Sequence, residues 1–476
     1  MNNRDLALVC DLYEYTMSNI FIKNNMENQI VYFDVFFRKT PENGGYAIFA
    51  GLEQVIEYIK NLSFSNEDIE YLRSLNKFNE EFLNYLSNFK FTGDIWAIEE
   101  GTIIFPNEPI LTVRAPIVQA QILETMLLLL LNHQSLIATK STRIVHAADG
   151  RPVMEFGARR AHSIDAAVYG SRAAMIGGCT GTSCVETAKK FNIPALGTMA
   201  HSFIQAFDSE YDAFKAYANA YPDDCLLLID TYDTLNQGIH NAIKVFKEVV
   251  VPKGFRPKGV RLDSGDLAYL SKEVRKILDK EGFQDAKICV SNSLDESLIS
   301  SLLNEGAKID SFGVGENLIT SKNEPVFGGV YKLVAIERGN CIIPKIKISE
   351  NTVKITNPGY KKLYRFYDKD TNKALADLIT LHDEEISTDT YEIFDPENPW
   401  KTKELTNYYI KPLLKEIFKN GELVYKTPTL PEIAKKCKQE LDTLWDEVKR
   451  LKNPHKYYVD LSKKLWDLKN ELLKKS

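Results

Sequence analysis

The sequence predicts an α/β protein in which a (β/α) barrel, or alternatively an open doubly wound parallel sheet, follows an α+β unit and precedes a mixed strand-and-helix region. Three observations carry this. At 476 residues the chain is too long for one simple core and suits two or three domains. Across 134–330, short runs of small and β-branched residues alternate with helical stretches at a recurrence of roughly 25–35 residues, the length of a βα unit. Those runs are apolar without alternation, so both faces of their sheet are covered, as in parallel sheets.

From the N-terminus, apolar residues recur at helical spacing from 5 to 26, and QIVYFDVFFRK (29–39) is dense in β-formers and predicts a strand. PENGG (41–45) is turn chemistry, and helices follow to residue 88. DIWAIEEG and EPILTVRA predict two strands around a turn, and a long helical stretch runs from Ile117 to Ala148. Residues 1–133 thus make the first unit. In 134–330 the predicted strands are RPVMEFG, PALGT, CLLLID, GVRLD, AKICVS and KIDSFGVG, with helices between them, including one from Ser202 and others near 234–250, 266–281 and 295–305. In 331–476, VYKLVAIERG and CIIPKIKISE predict antiparallel strands, after which the chain turns Lys- and aromatic-rich. Residues 431–476 predict two amphipathic helices with solvated charged faces.

Composition narrows the function classes. Hydrophobic residues at 44% and charged residues at 26% give the ordinary globular balance, against a large disordered fraction. A net charge of −6 offers no general attraction to nucleic acid or anionic membrane, so an anionic ligand must be held by local basic residues. The opening MNNRDLALVCDLYEYT is broken by acids and contains no signal-peptide core. MLLLLL (126–131) is far short of the ~20 residues of a membrane span and predicts a buried helix. Cys10, Cys179, Cys184, Cys225, Cys289, Cys341 and Cys437 lack zinc-site spacing. They predict reduced, mostly buried thiols in a cytosolic protein without a structural metal.

Polar residues fall where the strands end: Glu155 and Arg159, His201, Asp230 and Asp233, then Arg261, Asp263 and Asp266, Asn292 and Ser293, and Gly313 and Gly315. A barrel gathers such ends on one rim, where catalytic residues come from several strands. His201, in GTMAHSF, is open to service as base, metal ligand or transient phosphate carrier. No HxxxH pair supports the metal role, and Asp230 is placed to fix the tautomer. In RLDSGDL (261–267), Arg261 offers a planar fork to an anion or polar ring edge. Asp263 offers an acceptor to sugar hydroxyls or a balance for a developing cation, and Asp266 an N-cap. Phe156, in EFGARRAHS, is either core or a stacking plate for a flat heteroaromatic substrate. FGVGENL (312–318) is either a tight turn or a backbone approach to phosphate. It lacks the third glycine of a dinucleotide fingerprint and the GK[ST] of a P-loop, so phosphate there also needs cations. Arg38, Arg159, Arg261, Lys322 and Lys332 are the candidates.

The ordered set EFGARRAHS, GTSCVETA, GTMAHSF, DTYDT, GVRLDSGDL, SNSLDE, FGVGENLIT and GGVYKLV resembles the nicotinate phosphoribosyltransferase family. DLYEYTM (11–17), FFRK (36–39) and FAGLEQVI (49–56) are similar to its N-terminal signature, and the resemblance covers residues 5–335. It implies an irregular α/β barrel over 134–330, an α/β sandwich over 1–133 completed by strands of 331–476, and a helical extension beyond them. It also implies a cytoplasmic homodimer with shared active sites. The implied reaction joins nicotinate to 5-phosphoribosyl 1-diphosphate, forming nicotinate mononucleotide and diphosphate for NAD salvage. ATP hydrolysis is coupled through phosphorylated His201, and Mg²⁺ accompanies the diphosphate.

The residue roles that the resemblance implies are these. His201, Asp230 and Asp263 are catalytic, Asp263 facing the ribose as positive charge develops at its anomeric carbon. Phe156 and Tyr13 stack on the two faces of the pyridine, Tyr13 from the neighbouring subunit. Arg159, Arg261 and Thr198 hold nicotinate or the sugar-phosphate edge, Gly313 and Gly315 the 5-phosphate, and Arg38, Lys322 and Lys332 the diphosphate. Ser183 stands where nicotinamide-using relatives carry an aspartate, which would repel a carboxylate in a dry pocket; serine favours the acid. Two departures stand out. GGCTGTSC replaces the family's GGFDGTSN, making Cys179, Thr180 and Cys184 unusual, and Glu316 replaces a threonine beside the expected phosphate, where it points away or meets Mg²⁺. The competing readings are nicotinamide or quinolinate as the base, and a catalytically silent homologue that binds phosphoribosyl compounds.

Overall fold

The computed structural model describes residues 6–351 and 354–475. The chain divides into two compact units, one made by the chain up to Leu136 and from Val326 onward, the other by Ile137–Pro325.

In the Ile137–Pro325 unit, five parallel strands lie in the order Val153–Glu155, Ser311–Val314, Lys287–Ser291, Gly259–Leu262 and Leu226–Leu228. All five coincide with predicted strands, and their apolar side chains are buried, as a sheet covered on both faces requires. Single parallel bridges, Glu155 to Thr182 and Thr182 to Ala195, extend the arc past its first strand. The expected strand PALGT is thus reduced to one bridge. Pro194 brings no N–H, and Leu196 N–H to Thr182 O, 2.8 Å, is the last rung before Gly197. The α/β architecture with a parallel sheet is present, but among the described residues no backbone pairing closes the arc from Ala195 to Leu226–Leu228 into a barrel. The helix Leu267–Lys280 starts as expected on Asp266, whose carboxylate accepts the Tyr269 N–H at 3.0 Å.

The other unit holds a seven-stranded antiparallel sheet in the order Cys341–Pro344, Val330–Arg338, Ile30–Phe36, Leu111–Pro116, Asp94–Ile98, Leu414–Lys419 and Glu422–Leu423. Strands from both ends of the sequence therefore share one sheet. A second sheet runs Tyr408–Pro412, Lys361–Asp368, Ala374–Leu381 and Val459–Leu461. Its first three strands fall in the stretch that composition shows only as Lys- and aromatic-rich, and Val459–Leu461 in the region predicted as two helices. The two C-terminal helices form at Leu430–Thr443 and Lys463–Lys474, with Val459–Leu461 between them. The helix expected over 5–26 forms at Leu12–Lys23, with its first expected residue outside the described range. Gly51 caps the helix Leu52–Asn61 with φ 106°, and a Cβ there would stand 2.5 Å from Leu130 O. Glycine alone fits both demands.

The helical stretch Ile117–Ala147 is longer and more continuously apolar than MLLLLL suggests. One 18-residue window has a mean hydropathy of 1.3, enough by length and composition to cross a membrane. Its environment shows a core helix instead: 67% of that window is buried within the protein. Its C-terminal half also buries Gln134, Thr139, Lys140 and Arg143, and Lys140 and Arg143 pair with Glu296.

The two sheets bury charge deliberately. Arg365 is fully buried and forks onto Asp377 at 2.7 and 2.6 Å, with Glu440 at 3.1 Å and Ile103 O at 2.9 Å. Tyr457 donates to the same aspartate at 3.0 Å. Burial, and then the Asp377 charge, push the Glu108 carboxyl far above the usual range, so that it stays protonated beside them. Lys361 is likewise buried against Asp34 at 2.8 Å. Removing one member of such a set strands the others in a dry interior. Arg365→Met is therefore expected to lower the unfolding free energy of this unit by about 3–5 kcal/mol, read as an earlier transition in urea. A change under about 1 kcal/mol would contradict the assignment.

Candidate functional site

Because the five strands are parallel, their C-terminal ends lie along one edge of the sheet, and the predicted polar residues meet there. Arg261, on the Gly259–Leu262 strand, is the hub. Its Nε donates to Ser291 Oγ at 2.9 Å and its Nη2 to Asp263 Oδ1 at 3.0 Å. Its Nη1 reaches Thr198 Oγ1 and Met199 O, both at 3.4 Å. Ser291 Oγ also donates to Asp263 Oδ1 through a short bond. One carboxylate oxygen of Asp263 is thereby committed. The other, Oδ2, accepts no hydrogen bond among the described residues and faces His201 Nε2 at 3.7 Å.

His201 opens the short helix His201–Gln205, and its side chain is 37% exposed, so a ligand can reach the ring. Its Nδ1 lies 3.0 Å from Thr231 Oγ1. This corrects the expectation for Asp230, which does not contact His201. Asp230 Oδ2 instead accepts the Asp263 N–H at 2.7 Å and the Ser264 hydroxyl at 2.6 Å, while Oδ1 is buried without a hydrogen-bond partner. The cause is register, since the strand Leu226–Leu228 that precedes Asp230 pairs directly with the strand Gly259–Leu262 that precedes Asp263. The group that meets His201 Nδ1 is the neighbouring hydroxyl, Thr231.

The first strand positions the ring wall. Glu155 is fully buried and held by the Gly157 N–H, Ser171 Oγ at 2.8 Å and Thr182 Oγ1 at 2.6 Å, so it anchors the strand end rather than facing a ligand. Phe156 is half-buried, with the Arg261 guanidinium 5.7 Å from its ring centre. A Cβ on Gly313 would lie 2.6 Å from Phe156 Cδ2, which gives that glycine a steric purpose inside its strand. Gly315 precedes the short helix Glu316–Ile319. Ser183 is exposed and joined to the strand edge through its N–H to Glu155 O at 2.9 Å. Arg159 is exposed. Glu316 pairs with Lys322 at 2.8 Å and lies 3.7 Å from Arg160, and the Lys322 hydrogen bond lowers its pKa. The unexpected acid is thus neutralised by neighbouring cations, and Lys322 carries an internal partner.

Three expected residues belong to the other unit. Tyr13 is 45% exposed on the helix Leu12–Lys23; burial, and then the charges of Glu124 and Glu14, raise its pKa. Arg38 Nε is buried without a partner, and its guanidinium stands 5.5 Å from the Phe36 ring centre. Lys332 donates to Tyr331 O at 2.7 Å; burial lowers its pKa, and positive Lys347 and Arg38 lower it further. Lys332 also lies 3.7 Å from Glu124, whose charge opposes those of Lys347 and Arg38 there.

Sequence reasoning missed Thr231, Ser264, Ser291 and Lys347. Thr231 and Ser264 lie inside the quoted motifs DTYDT and RLDSGDL, and Ser291 opens SNSLDE, one residue before the marked Asn292. Asn292 and Ser293 mark the strand end in another way, with φ of 92° and 47°. The Phe156–Gly313 contact is testable by a double-mutant cycle. Gly313→Ala is expected to destabilise this unit by about 1–3 kcal/mol through overpacking, and to cost little in a Phe156→Ala background. Equal cost in both backgrounds would show that the ring is not what demands glycine.

Comparison with known proteins gives one answer along the chain. Residues 8–132 match the nicotinate phosphoribosyltransferase N-terminal domain, 152–379 the nicotinate phosphoribosyltransferase family and 360–469 its C-terminal domain. The chain is 45% identical over 465 residues to the nicotinate phosphoribosyltransferase of Bacillus subtilis, covering 98% of this chain and 94% of that one. It is 39% identical over 461 residues to a nicotinate phosphoribosyltransferase of Mycobacterium tuberculosis, covering 96% and 92%. Its structure resembles the crystal structure of human nicotinic acid phosphoribosyltransferase with a TM-score of 0.86 at 28% identity, covering 97% and 99%. The strand-end residues and these likenesses agree, and the chain belongs to the nicotinate phosphoribosyltransferase family.

Proposed function

We propose that this chain joins nicotinate to 5-phosphoribosyl 1-diphosphate, releasing diphosphate and forming nicotinate mononucleotide, with ATP hydrolysis coupled through phosphorylated His201. The observation that carries the coupling is the environment of His201: an exposed imidazole with Nδ1 at a hydroxyl and Nε2 facing a tethered carboxylate. With Nδ1–H donated to Thr231, the Nε2 lone pair is free to attack the terminal phosphorus of ATP. The Nε2–P bond forms, the bridging P–O bond breaks and ADP departs. Hydrolysis of the phosphohistidine returns the free imidazole.

In the transfer step Phe156 stacks on the pyridine, and Ser183 donates to the nicotinate carboxylate or leaves it unopposed. Arg159, Arg261 and Thr198 hold the acid and the sugar-phosphate edge. Asp263, polarised on one side by Arg261 and Ser291, offers its free oxygen to the ribose as positive charge grows at the anomeric carbon, an interaction worth most in the transition state. Gly313 and Gly315 bring the backbone close to the 5-phosphate. Lys322, Arg38 and Lys332 receive the diphosphate.

Mg²⁺ fits the same edge. Among the described residues Asp230 Oδ1 is buried and unpartnered and Asp263 Oδ2 accepts no hydrogen bond, two hard oxygens of the kind that hold Mg²⁺ together with substrate phosphates. When bound, the ion supplies charge neutralisation for the diphosphate. Among the described residues no group of three or more His, Cys, Asp or Glu forms a dedicated metal cage.

We infer further that the parallel arc is an irregular barrel whose seam is bridged by side chains, Arg261 to Thr198 and His201 to Thr231. The enzyme acts as a cytoplasmic homodimer with Tyr13 completing the neighbouring site. Its exposed Leu12, Tyr13 and Ile20 on one helix, and seven free cysteines, support that reading.

The test is turnover of nicotinate, nicotinamide and quinolinate with the sugar diphosphate and Mg²⁺, with ATP supplied or withheld. Nicotinate is expected to be preferred and stimulated by ATP, and His201→Ala to retain basal turnover without stimulation. Preference for nicotinamide would overturn the role of Ser183, and ATP stimulation surviving in His201→Ala would overturn the phosphohistidine.

A further inference from the structure

The unit made by the two ends of the chain encloses a cavity of about 1370 Å³, larger than needed for a drug-sized ligand. Of the side chains given a role in the reaction, only Arg38 borders it. Its inner wall is aromatic. Tyr457 is buried and stacked on Phe105 at 4.0 Å, and Trp466 is fixed edge-on to Phe394 at 5.9 Å by its N–H to Pro396 O.

Most of the charged groups inside are matched; Arg38, whose Nε is buried without a partner at the border, and Asp460 are the exceptions. Lys361 is paired with Asp34, Lys469 donates to Asn357 Oδ1 at 2.8 Å, and Asp395 is engaged by Asn398 and two backbone N–H groups. Asp460, on the Val459–Leu461 strand, is 3% exposed, lines the cavity and has no hydrogen-bond or ion-pair partner among the described residues. A buried carboxyl without a partner is unfavourable, so the cavity wall carries an acceptor that a ligand could satisfy. Burial, and then the Asp395 charge, push its pKa up to about 7. At the mouth the balance is basic: Lys401, Lys403, His455 and Lys456 are exposed there, with Glu397 the exposed acid.

We propose that this cavity is a second ligand site, that it takes an adenine nucleotide, and that Asp460 reads the base while the mouth lysines hold the phosphate. Each part of that ligand has a counterpart on the wall. The flat ring lies against Tyr457 and Trp466. One Asp460 oxygen accepts from the exocyclic amine, and in the protonated form the other donates to the adjacent ring nitrogen. The neighbouring carboxylate, Asp395, is already committed to Asn398 and two backbone N–H groups, and among the described residues no group of three or more His, Cys, Asp or Glu stands together, which disfavours a metal.

The experiment is a titration of the full-length protein with AMP, followed by calorimetry and by Trp466 fluorescence, with Trp466→Phe identifying the local signal. Saturable binding is expected, unchanged in His201→Ala and in the presence of saturating phosphoribosyl diphosphate. Asp460→Ala is expected to weaken AMP at least tenfold and purine riboside 5′-monophosphate, which lacks the amine, by less, whereas Asp460→Asn, whose amide offers the same acceptor and donor, is expected to keep AMP binding. Should Asp460→Ala fail to fold, the exposed pair Lys403→Ala/Lys456→Ala keeps the question open to measurement: it should weaken AMP but not adenosine. No binding at millimolar AMP, displacement by phosphoribosyl diphosphate, or indifference to both sets of variants would overturn the proposal.

Discussion

Arg261 holds three strand ends in one planar fork, and the reactive geometry depends on it. Its guanidinium fixes one oxygen of Asp263, shares Ser291 with that carboxylate, and crosses to Thr198 and Met199, where the sheet has no backbone pairing. With Oδ1 so committed, Oδ2 is left facing His201. Lysine could supply the charge but not three directions at once, so the guanidinium is not replaceable by charge alone. Parallel register does the rest, because it brings ends separated by about 30 residues onto one edge.

The second unit solves a different problem. It assembles sheets from strands separated by hundreds of residues, as where Leu414–Lys419 pairs with Asp94–Ile98. Buried charge pins that arrangement. Arg365 binds Asp377, Glu440 and Ile103 O together, so a strand, its neighbour, a C-terminal helix and the N-terminal segment are fixed by one side chain. Such a set adds little net stability over a well-packed apolar core, yet no member can be removed cheaply. Asp460 in the same unit breaks that pattern, since among the described residues its buried carboxyl has no hydrogen-bond or ion-pair partner.

The sequence made the parallel strands legible because both their faces are buried and their ends are polar, a pattern that survives without tertiary knowledge. His201, Arg261 and Asp263 were recognisable from chemistry and spacing, and Asp266 from its capping position. What stayed hidden depends on pairing. Thr231 rather than Asp230 meets His201 because of strand register, which no local pattern encodes. PALGT reads as a strand but reaches only one bridge, since a proline removes a donor. Among the Lys- and aromatic-rich strands of 361–419, the interior strand Lys361–Asp368 buries Lys361 and Arg365 against carboxylates while Thr402–Leu405 exposes its charges, so the hydrophobic period is weak. Gly313 looked like a phosphate glycine, while its closest neighbour is the Phe156 ring.

The central claim is that His201 carries a phosphoryl group, with Thr231 setting its tautomer. The most direct measurement is incubation with ATP labelled in its terminal phosphate, followed by location of the acid-labile, alkali-stable label. The account predicts label on residue 201, absent from His201→Ala and strongly reduced in Thr231→Val, with Arg261→Lys still labelled but slow in transfer to the base. Label on another residue, or none while ATP still stimulates turnover, would contradict it.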